Sequence, residues 1–135
     1  EGSVNVTRFA GRFAGVGGFM NIVQSARRLV FCCTFRAGDL EVAMEDGRLR
    51  IVREGKYAKF VRRIGEVCFH GPSAFARGQE VLYVTERAVF ELTGEGLRLV
   101  EVAPGIDLES EVLGQMEFPP AVGTPLRTME LVESP

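Results

Sequence analysis

The glycine-rich stretch from Gly15 to Ile22 (GVGGFMNI) is the part of this chain best suited to chemistry through the backbone. Glycine is used where φ must be positive or where a ligand must touch the main chain. A glycine turn that opens a helix also presents free N–H groups to an anion or to a developing oxyanion. These residues alone leave two interpretations open: a ligand-binding loop of this kind, or a tight turn packed under a sheet.

Four side chains are further candidates for ligand contacts. Asn21 and Gln24 lie close to the turn, where such residues either reach a ligand or tie down the loop. Arg36 and Lys56 fall on predicted loops, where a cation suits either the phosphates of a ligand or a solvated surface. The sequence does not decide between these roles.

The three cysteines favour a structural role. Cys32 and Cys33 are adjacent inside an apolar run, and with Cys68 they make an odd number. This pattern is typical of buried thiols in a reducing cytoplasm rather than of a disulfide framework, so we predict that Cys32 and Cys33 are core residues.

The remaining polar candidates also favour structure over catalysis. His70 precedes Gly71-Pro72 and is predicted to be a turn residue. Because the chain has one histidine and no CxxC motif, no metal site is predicted. Glu86 stands next to Arg87, and we expect an ion pair at the top of a sheet.

Length and charge exclude several classes of protein. With 135 residues and 46% hydrophobic residues, the chain predicts a single domain, 1–135, with a real core. A net charge of −2 gives no electrostatic footprint for nucleic acid or an anionic membrane, and no apolar run approaches a bilayer span. A cytoplasmic protein is expected. The start in strand-like sequence without Met suggests a processed chain, an excised domain or a fragment.

The elements that must position the glycine turn are predicted on either side of it. Val4–Thr7 is a predicted strand, and Phe19–Arg27 can form about two helical turns. Leu29–Phe35 is a continuous apolar run, typical of a strand covered on both faces. The loop Arg36–Asp39 follows its carboxyl end, a usual place for a ligand in an open α/β sheet.

The rest of the chain predicts β-hairpins and a closing helix. Asp46-Gly47 is a strong hairpin turn between two alternating segments. Asp107 is a good N-cap for a helix with one apolar face, and Phe118-Pro119-Pro120 ends that helix. The fold class is therefore α/β with an open mixed sheet. The other predicted elements are strands at 40–45, 48–53, toward the end of 60–69, at 81–92 without a break, and at 97–102, a loop or single turn at 74–78, and an extended tail at 121–135.

Several segments together resemble the family I coenzyme A transferases, which include acetate, propionate and 3-oxoacid CoA-transferases. Gly15–Asn21 resembles the glycine loop of that family, and Val84–Phe90 resembles its TE-x-A-V-F strand. Ala103–Leu108 with Gln115–Phe118 resembles its closing helix, and Glu1–Val6 resembles the strand before the glycine loop. The similarity covers essentially the whole chain in the right order. It implies the C-terminal, beta-subunit-like portion of a CoA-transferase domain.

The resemblance implies a chemistry and its site. In the family, a glutamate attacks an acyl-CoA thioester, and CoA passes to a carboxylic acid through an anhydride and a glutamyl thioester. By motif position, Gly17 and Gly18 form the oxyanion loop. The residues implied to contact coenzyme A, which is a substrate rather than a tightly bound cofactor, are Gly15, Val16, Gly17, Gly18, Phe19 and Asn21. Nothing in the chain matches the family's Glu-x-Gly nucleophile motif, so the isolated chain is expected to be inactive.

The implied partners are acyl-CoA, a carboxylic acid and a glutamate-bearing region or chain, within a homo-oligomer of short-chain fatty acid or ketone body metabolism. Two other functions stay open: a non-catalytic module for CoA binding or assembly, and a structural β-rich domain without a ligand. A fragment would leave one sheet face or edge poorly covered, which favours association.

Overall fold

The computed structural model describes residues 1–9 and 11–132, which form one mixed sheet with smaller paired strands and short helices. The helices are α1 (Phe19–Ser25) and α2 (Gly71–Ala76), followed by a π-helical turn at Leu108–Val112 and a 3-10 turn at Leu113–Gln115. The strands are β1 (Arg8–Phe9), β2 (Arg12–Phe13), β3 (Arg28–Cys32), β4 (Arg36–Ala37), β5 (Glu41–Glu45), β6 (Arg48–Arg53), β7 (Tyr57–Ala58), β8 (Glu80–Val84), β9 (Ala88–Thr93), β10 (Gly96–Val102) and β11 (Ala121–Thr128).

The main sheet has five strands in the order β11-β10-β9-β8-β3. The central pairs β8–β9 and β9–β10 are antiparallel, whereas β3 and β11 add to the two sides in parallel. The predicted α/β class with an open mixed sheet is thus confirmed. Both outer strands leave a free edge among the described residues.

One face of this sheet carries the core. Alternate residues of each strand point to the same side, and on this side Leu29, Val81, Phe90 and Leu99 are buried. Val23 of α1 and Val112 pack in the same core. Val112 is fully buried and belongs to the apolar face that was predicted after Asp107. Asp107 does cap this segment, because its Oδ1 accepts the amide of Ser110 at 2.8 Å.

The predicted hairpin around Asp46-Gly47 is confirmed. β5 and β6 pair antiparallel, with Glu45 opposite Arg48. Asp46 and Gly47 have φ values of 51° and 70°, the two positive angles that a type I′ turn needs to match strand twist. β9 and β10 form the second predicted hairpin, joined through Thr93–Gly96.

The interpretation of Leu29–Phe35 as a strand covered on both faces is wrong. β3 ends at Cys32 and lies at the edge of the sheet, where Val30, Cys32 and Cys33 are exposed. The prediction that Cys32 and Cys33 are core residues is therefore also wrong, and only Cys68 is buried. A continuous apolar run does not distinguish a covered strand from an edge strand whose outer face lacks a partner.

Three further element predictions need correction. Val4–Thr7 is not a strand, since only Val4 pairs, with Phe69. The segment 81–92 is broken at Thr85–Arg87 into the antiparallel strands β8 and β9. The N-terminal half of the predicted extended tail is strand β11, which pairs with β10; residues 133–135 lie outside the described residues.

Candidate functional site

The glycine loop, residues 15–18, lies between β2 and α1. The helix after it was predicted, whereas the strand before it was predicted at Val4–Thr7 and not at β2. Backbone hydrogen bonds fix it on both sides, from Ala14 N to the carbonyl of Thr7 at 2.6 Å and from Phe19 N to the carbonyl of Val16 at 3.0 Å. Within residues 1–9 and 11–132, the amides of Gly17 and Gly18 donate to no protein acceptor. Two adjacent N–H groups at a helix start are therefore available to an acceptor from outside the chain.

The loop glycines have open surroundings. A Cβ built on Gly15, Gly17 or Gly18 would meet no atom within 4 Å, and of these three only Gly17 has a positive φ, 51°. At Gly71, by contrast, a Cβ would lie 2.2 Å from the carbonyl oxygen of Glu1. Packing thus explains Gly71 and backbone conformation explains Gly17, but neither explains glycine at positions 15 and 18.

Helix α1 holds the loop against the sheet. Val23 is buried, and the ring of Phe19 lies 6.1 Å from the ring of Phe31 on β3. The far end of α1 is fixed by buried Gln79, whose Nε2 donates to the carbonyls of Val23 and Ala26 at 2.8 and 2.7 Å. No motif in the sequence pointed to Gln79, because its partners lie more than fifty residues away.

The polar candidates near the loop differ in availability. Asn21 and Gln24 are exposed, and their side-chain amides make no hydrogen bond among the described residues. Arg36 instead donates from Nε to the carbonyl of Gly55 at 2.7 Å, and Lys56 pairs with Asp39. Arg36 therefore holds the neighbouring loop.

Arg87 is the centre of a buried ion cluster in which each of its guanidinium nitrogens has an acceptor. Its guanidinium is 0% exposed and donates to both oxygens of Glu54 at 2.7 and 2.9 Å. Nε donates to Glu86 at 2.6 Å, which confirms the expected ion pair, and Nη1 donates to the carbonyl of Glu111 at 3.0 Å. The sequence predicted one partner and missed Glu54, which lies thirty-three residues away.

Hydrogen bonding within the cluster shifts the pKa of Glu54 and the pKa of Arg87. The hydrogen bonds from Arg87 hold the pKa of Glu54 below its ordinary value, against the opposing effect of burial. Burial alone would lower the pKa of Arg87, but the bonds to Glu54 and Glu86 more than offset it and the pKa is raised. The second oxygen of Glu86 accepts the amide of Phe35 at 2.7 Å. Glu54 is thus stabilised as an anion, and Glu86 is held in place by its two hydrogen bonds.

The thiols and the histidine have no catalytic arrangement. Although Cys33 is an exposed residue, partial burial of its thiol raises the pKa of that group, which keeps it protonated at neutral pH. His70 was predicted to be a turn residue, but it is the N-cap of α2, with Nδ1 2.7 Å from Oγ of Ser73. Among the described residues there is no cluster of three groups that could hold a metal ion, and no helix there is long and apolar enough to cross a membrane.

In sequence and in fold, the chain is similar to a portion of known CoA-transferases, which confirms the resemblance seen in its motifs. It is 43% identical over 130 residues to the acetate CoA-transferase YdiF of Escherichia coli K12. It is also 42% identical over 134 residues to the caffeate CoA-transferase of Acetobacterium woodii. The match takes in 96% of this chain but only 24% and 25% of those proteins. No protein-family model matches the chain.

Solved structures agree with the sequence comparison. The acyl-CoA transferase YdiF of E. coli O157:H7, in a thioester complex with CoA, superposes with a TM-score of 0.93 at 43% identity, covering 95% of this chain and 25% of that one. The decarboxylase AibA/AibB shares the fold, with a TM-score of 0.68 at 20% identity over 99% of this chain and 48% of that one. The chain thus spans about a quarter of the length of its curated relatives.

Proposed function

We propose that this chain supplies the coenzyme A and oxyanion loop of a CoA-transferase that moves CoA between an acyl-CoA and a short-chain carboxylic acid. In this proposal Gly17 and Gly18 donate their N–H groups to the thioester carbonyl oxygen as it gains negative charge. The loop contacts CoA through Gly15, Val16, Phe19 and Asn21. Coenzyme A is a substrate here.

One observation carries the proposal: glycine stands at positions 15 and 18, where neither backbone conformation nor packing among the described residues requires it. A missing side chain with open space beside it is what a ligand needs to approach the backbone closely. The neighbouring amides of Gly17 and Gly18 are free to donate, and the corresponding fold in YdiF has been solved as a CoA thioester complex. The open geometry of the loop and the likeness to YdiF therefore both support coenzyme A as the ligand.

The nucleophile is proposed to come from sequence outside this chain. A carboxylate must be free to attack a thioester, and the glutamates beside the TE-x-A-V-F strand are not. Glu86 is bonded to Arg87 and to the amide of Phe35, and Glu54 receives two bonds from Arg87. A carboxylate held in this way by a guanidinium is a weakened nucleophile, because attack requires breaking the ion pair.

The separate roles proposed for the loop and for the nucleophile follow from the chemistry of thioester attack. Carboxylate attack on a thioester creates an oxyanion, and donors positioned before the reaction stabilise it without reorganisation. The loop would do this for the acyl-CoA thioester in the first half-reaction. In the second half-reaction the acceptor acid attacks a different carbonyl, that of the glutamyl thioester, which would need the same kind of donors. Loss of one such donor typically costs about 3 kcal/mol of barrier.

The test uses the 135-residue chain and a full-length hybrid in which it replaces the matching segment of E. coli YdiF. We expect the hybrid to exchange CoA between acetyl-CoA and an added acid, and the isolated chain to show no exchange. Turnover by the isolated chain would contradict the assignment of the nucleophile. A correctly folded hybrid without activity would contradict the proposed role of the loop.

A second function is favoured by one observation: Arg87 holds both Glu54 and Glu86, so neither carboxylate is free to attack a thioester. A module that binds CoA, or that assembles with another chain, needs no nucleophile of its own. Calorimetry with CoA distinguishes the two cases: binding by the isolated chain together with an inactive hybrid supports the module. The absence of binding in both forms would leave a structural domain. A cytoplasmic location, a homo-oligomer and a role in short-chain acid metabolism complete the proposal.

A further inference from the structure

The two strands that lead into the glycine loop form a small sheet of their own. β1 and β2 pair over two residues each, separately from the main sheet. Both residues of β2 are exposed. An isolated two-stranded ribbon is marginally stable in water. A loop that must present its amides in a fixed direction therefore needs a further contact at this end.

One backbone hydrogen bond joins the end of this ribbon to the start of the loop. The amide of Ala14 donates to the carbonyl of Thr7 at 2.6 Å, and Gly15 follows directly. Thr7 is only 8% exposed, unlike the residues of β2. The position of the amino-terminal end of the loop thus depends on how the backbone of Thr7 is held.

Three polar groups hold Thr7 in place. Its hydroxyl donates to Oε2 of Glu66 at 2.5 Å, the short distance typical of a hydrogen bond to a carboxylate. Oδ1 of Asn5 accepts the amide of Thr7 at 2.9 Å, and Sγ of Cys68 lies 3.5 Å from the hydroxyl oxygen. A hydroxyl has one hydrogen to donate, so the bond to Glu66 is the strongest of these side-chain contacts. We call these four residues the Thr7 cluster.

The Thr7 cluster is attached to the hydrophobic core through the segment that precedes α2. The amides of Cys68 and Phe69 donate to the carbonyl of Val4 at 2.9 and 3.0 Å. Phe69 is buried, and its ring lies 5.1 Å from the ring of Phe31 on β3. The core therefore supports the glycine loop at both ends, through α1 after the loop and through the Thr7 cluster before it.

We propose that Thr7 is a positioning residue for CoA transfer. Its hydroxyl, bonded to Glu66, fixes the carbonyl that accepts the amide of Ala14. That bond in turn sets the direction of the amides of Gly17 and Gly18, because a hydrogen bond is directional. The role in transfer rests on the proposed function of the loop, whereas the placement of the loop rests on contacts within this chain. Neither Thr7 nor Glu66 touches the substrate.

The cluster can be broken without leaving a buried charge. The side chain of Glu66 is 41% exposed and also pairs with Arg8 at 3.7 Å. Its carboxylate therefore stays solvated when the hydroxyl of Thr7 is removed. Thr7→Val keeps the branched shape of the side chain and removes only the hydroxyl. The effect of this variant thus reports the hydrogen bond and not a cavity.

Hydrogen exchange in the isolated 135-residue chain tests the placement without any activity. We expect the amide of Ala14 to exchange about 10-fold faster in Thr7→Val than in the unchanged chain. The amide of Cys33, which is bonded within the main sheet, should keep its rate. The amide NMR signals of Gly17 and Gly18 should shift in the same variant. Unchanged exchange at Ala14 with unchanged glycine signals would overturn the proposal.

Kinetics of the hybrid with YdiF test the role in transfer. Thr7→Val should lower kcat about 10-fold and change KM for acetyl-CoA by less than about 2-fold, because donors to the oxyanion act in the transition state. Thr7→Ser keeps the hydroxyl and should restore kcat to within about 2-fold of the unchanged hybrid. A loss of kcat that Thr7→Ser does not restore would overturn the proposal, as would a rise in KM at unchanged kcat.

The matched control is Thr93→Val in the hairpin between β9 and β10. Oγ1 of Thr93 donates to the carbonyl of Gly96 at 2.9 Å, so this hydroxyl also holds a turn, but one outside the loop and the Thr7 cluster. Both valine variants should lower the melting temperature of the isolated chain by a few degrees, and only Thr7→Val should lower kcat of the hybrid. Equal losses of kcat would contradict the proposal.

The outcome for Thr7 is separable from the outcome for the loop. If Gly18→Ala lowers transfer but Thr7→Val changes neither exchange at Ala14 nor kcat, the loop keeps its proposed role and Thr7 loses its own. If Thr7→Val speeds exchange at Ala14 while Gly18→Ala leaves transfer intact, the placement by Thr7 stands and its role in transfer is overturned together with that of the loop.

Discussion

Each guanidinium nitrogen of Arg87 has an acceptor inside the chain, whereas the amides of Gly17 and Gly18 have none among residues 1–9 and 11–132. The space around the glycines also differs between the Arg87 cluster and the glycine loop. At Gly55, beside Glu54, an added Cβ would lie 2.8 Å from backbone and side-chain atoms, and at Gly18 it would enter open space. In the Arg87 cluster, the donors of the guanidinium find their acceptors within this chain. Among the described residues, the glycine loop leaves two neighbouring donors open, as the proposed function requires, and mutations can test that difference.

The largest expected effect is on folding, at Arg87. Arg87→Met leaves two partly buried carboxylates without their cation, so we expect unfolding free energy to fall by about 3–5 kcal/mol. The matched control is Arg98→Met, which breaks the exposed pair with Glu91 and should cost about 0–1 kcal/mol. Urea unfolding of the isolated chain measures both. Equal losses would show that the Arg87 cluster is not the anchor that its geometry indicates.

The next effect is on catalysis, at Gly18. A Cβ there would enter the space proposed for the thioester, and a small misplacement of the reacting groups costs about 100-fold in rate. Gly18→Ala in the hybrid should therefore lose transfer activity by about that factor, while unfolding free energy changes by less than about 0.5 kcal/mol.

The control for Gly18→Ala is Gly65→Ala. Gly65 also has open space around its Cβ position and no positive φ, but it lies outside the loop. It should leave both stability and transfer unchanged. If the two variants behave alike in transfer kinetics, the openness around Gly18 is a property of any exposed glycine and carries no information on a ligand.

Acid should weaken the Arg87 cluster. The pKa of Glu54 is held below its ordinary value of 4.5 by Arg87, so its contribution to stability is present above that pH. It is lost as the pH falls through the lower, folded-state value. Glu54→Gln should flatten the dependence of stability on pH below about 4.5. An unchanged pH profile in this variant would assign the acid sensitivity to other carboxylates.

The sequence predicted the local features of this fold better than its long-range ones. The Asp46-Gly47 turn, the Asp107 cap and helix α1 were correct, because each depends on residues within a few positions of one another. The edge position of β3 was not predicted, since an apolar strand has the same composition whether or not a neighbour covers it. Neighbours are set by the order of strands in the sheet.

The same limit applies to the candidate site. The glycine loop and the Glu86–Arg87 pair could be read from adjacent residues, whereas Glu54 and Gln79 could not. Their partners lie at separations of thirty-three and more than fifty residues, and no short motif records such contacts. The availability of the loop amides also required the structure, because a sequence does not show which N–H groups find acceptors.

The smallest expected effect separates the loop's own strain from its proposed role. Gly17 has a φ of 51°, where a Cβ costs about 1 kcal/mol, whereas Gly18 has an ordinary φ. Gly17→Ala should therefore lower unfolding free energy by about 1 kcal/mol in the isolated chain, and Gly18→Ala should leave it unchanged. A neutral Gly17→Ala would mean that the loop relaxes at no cost to another conformation. If the amides of Gly17 and Gly18 move so easily, they are not preorganised. The proposed oxyanion role would then require the glutamate-bearing region to fix their position.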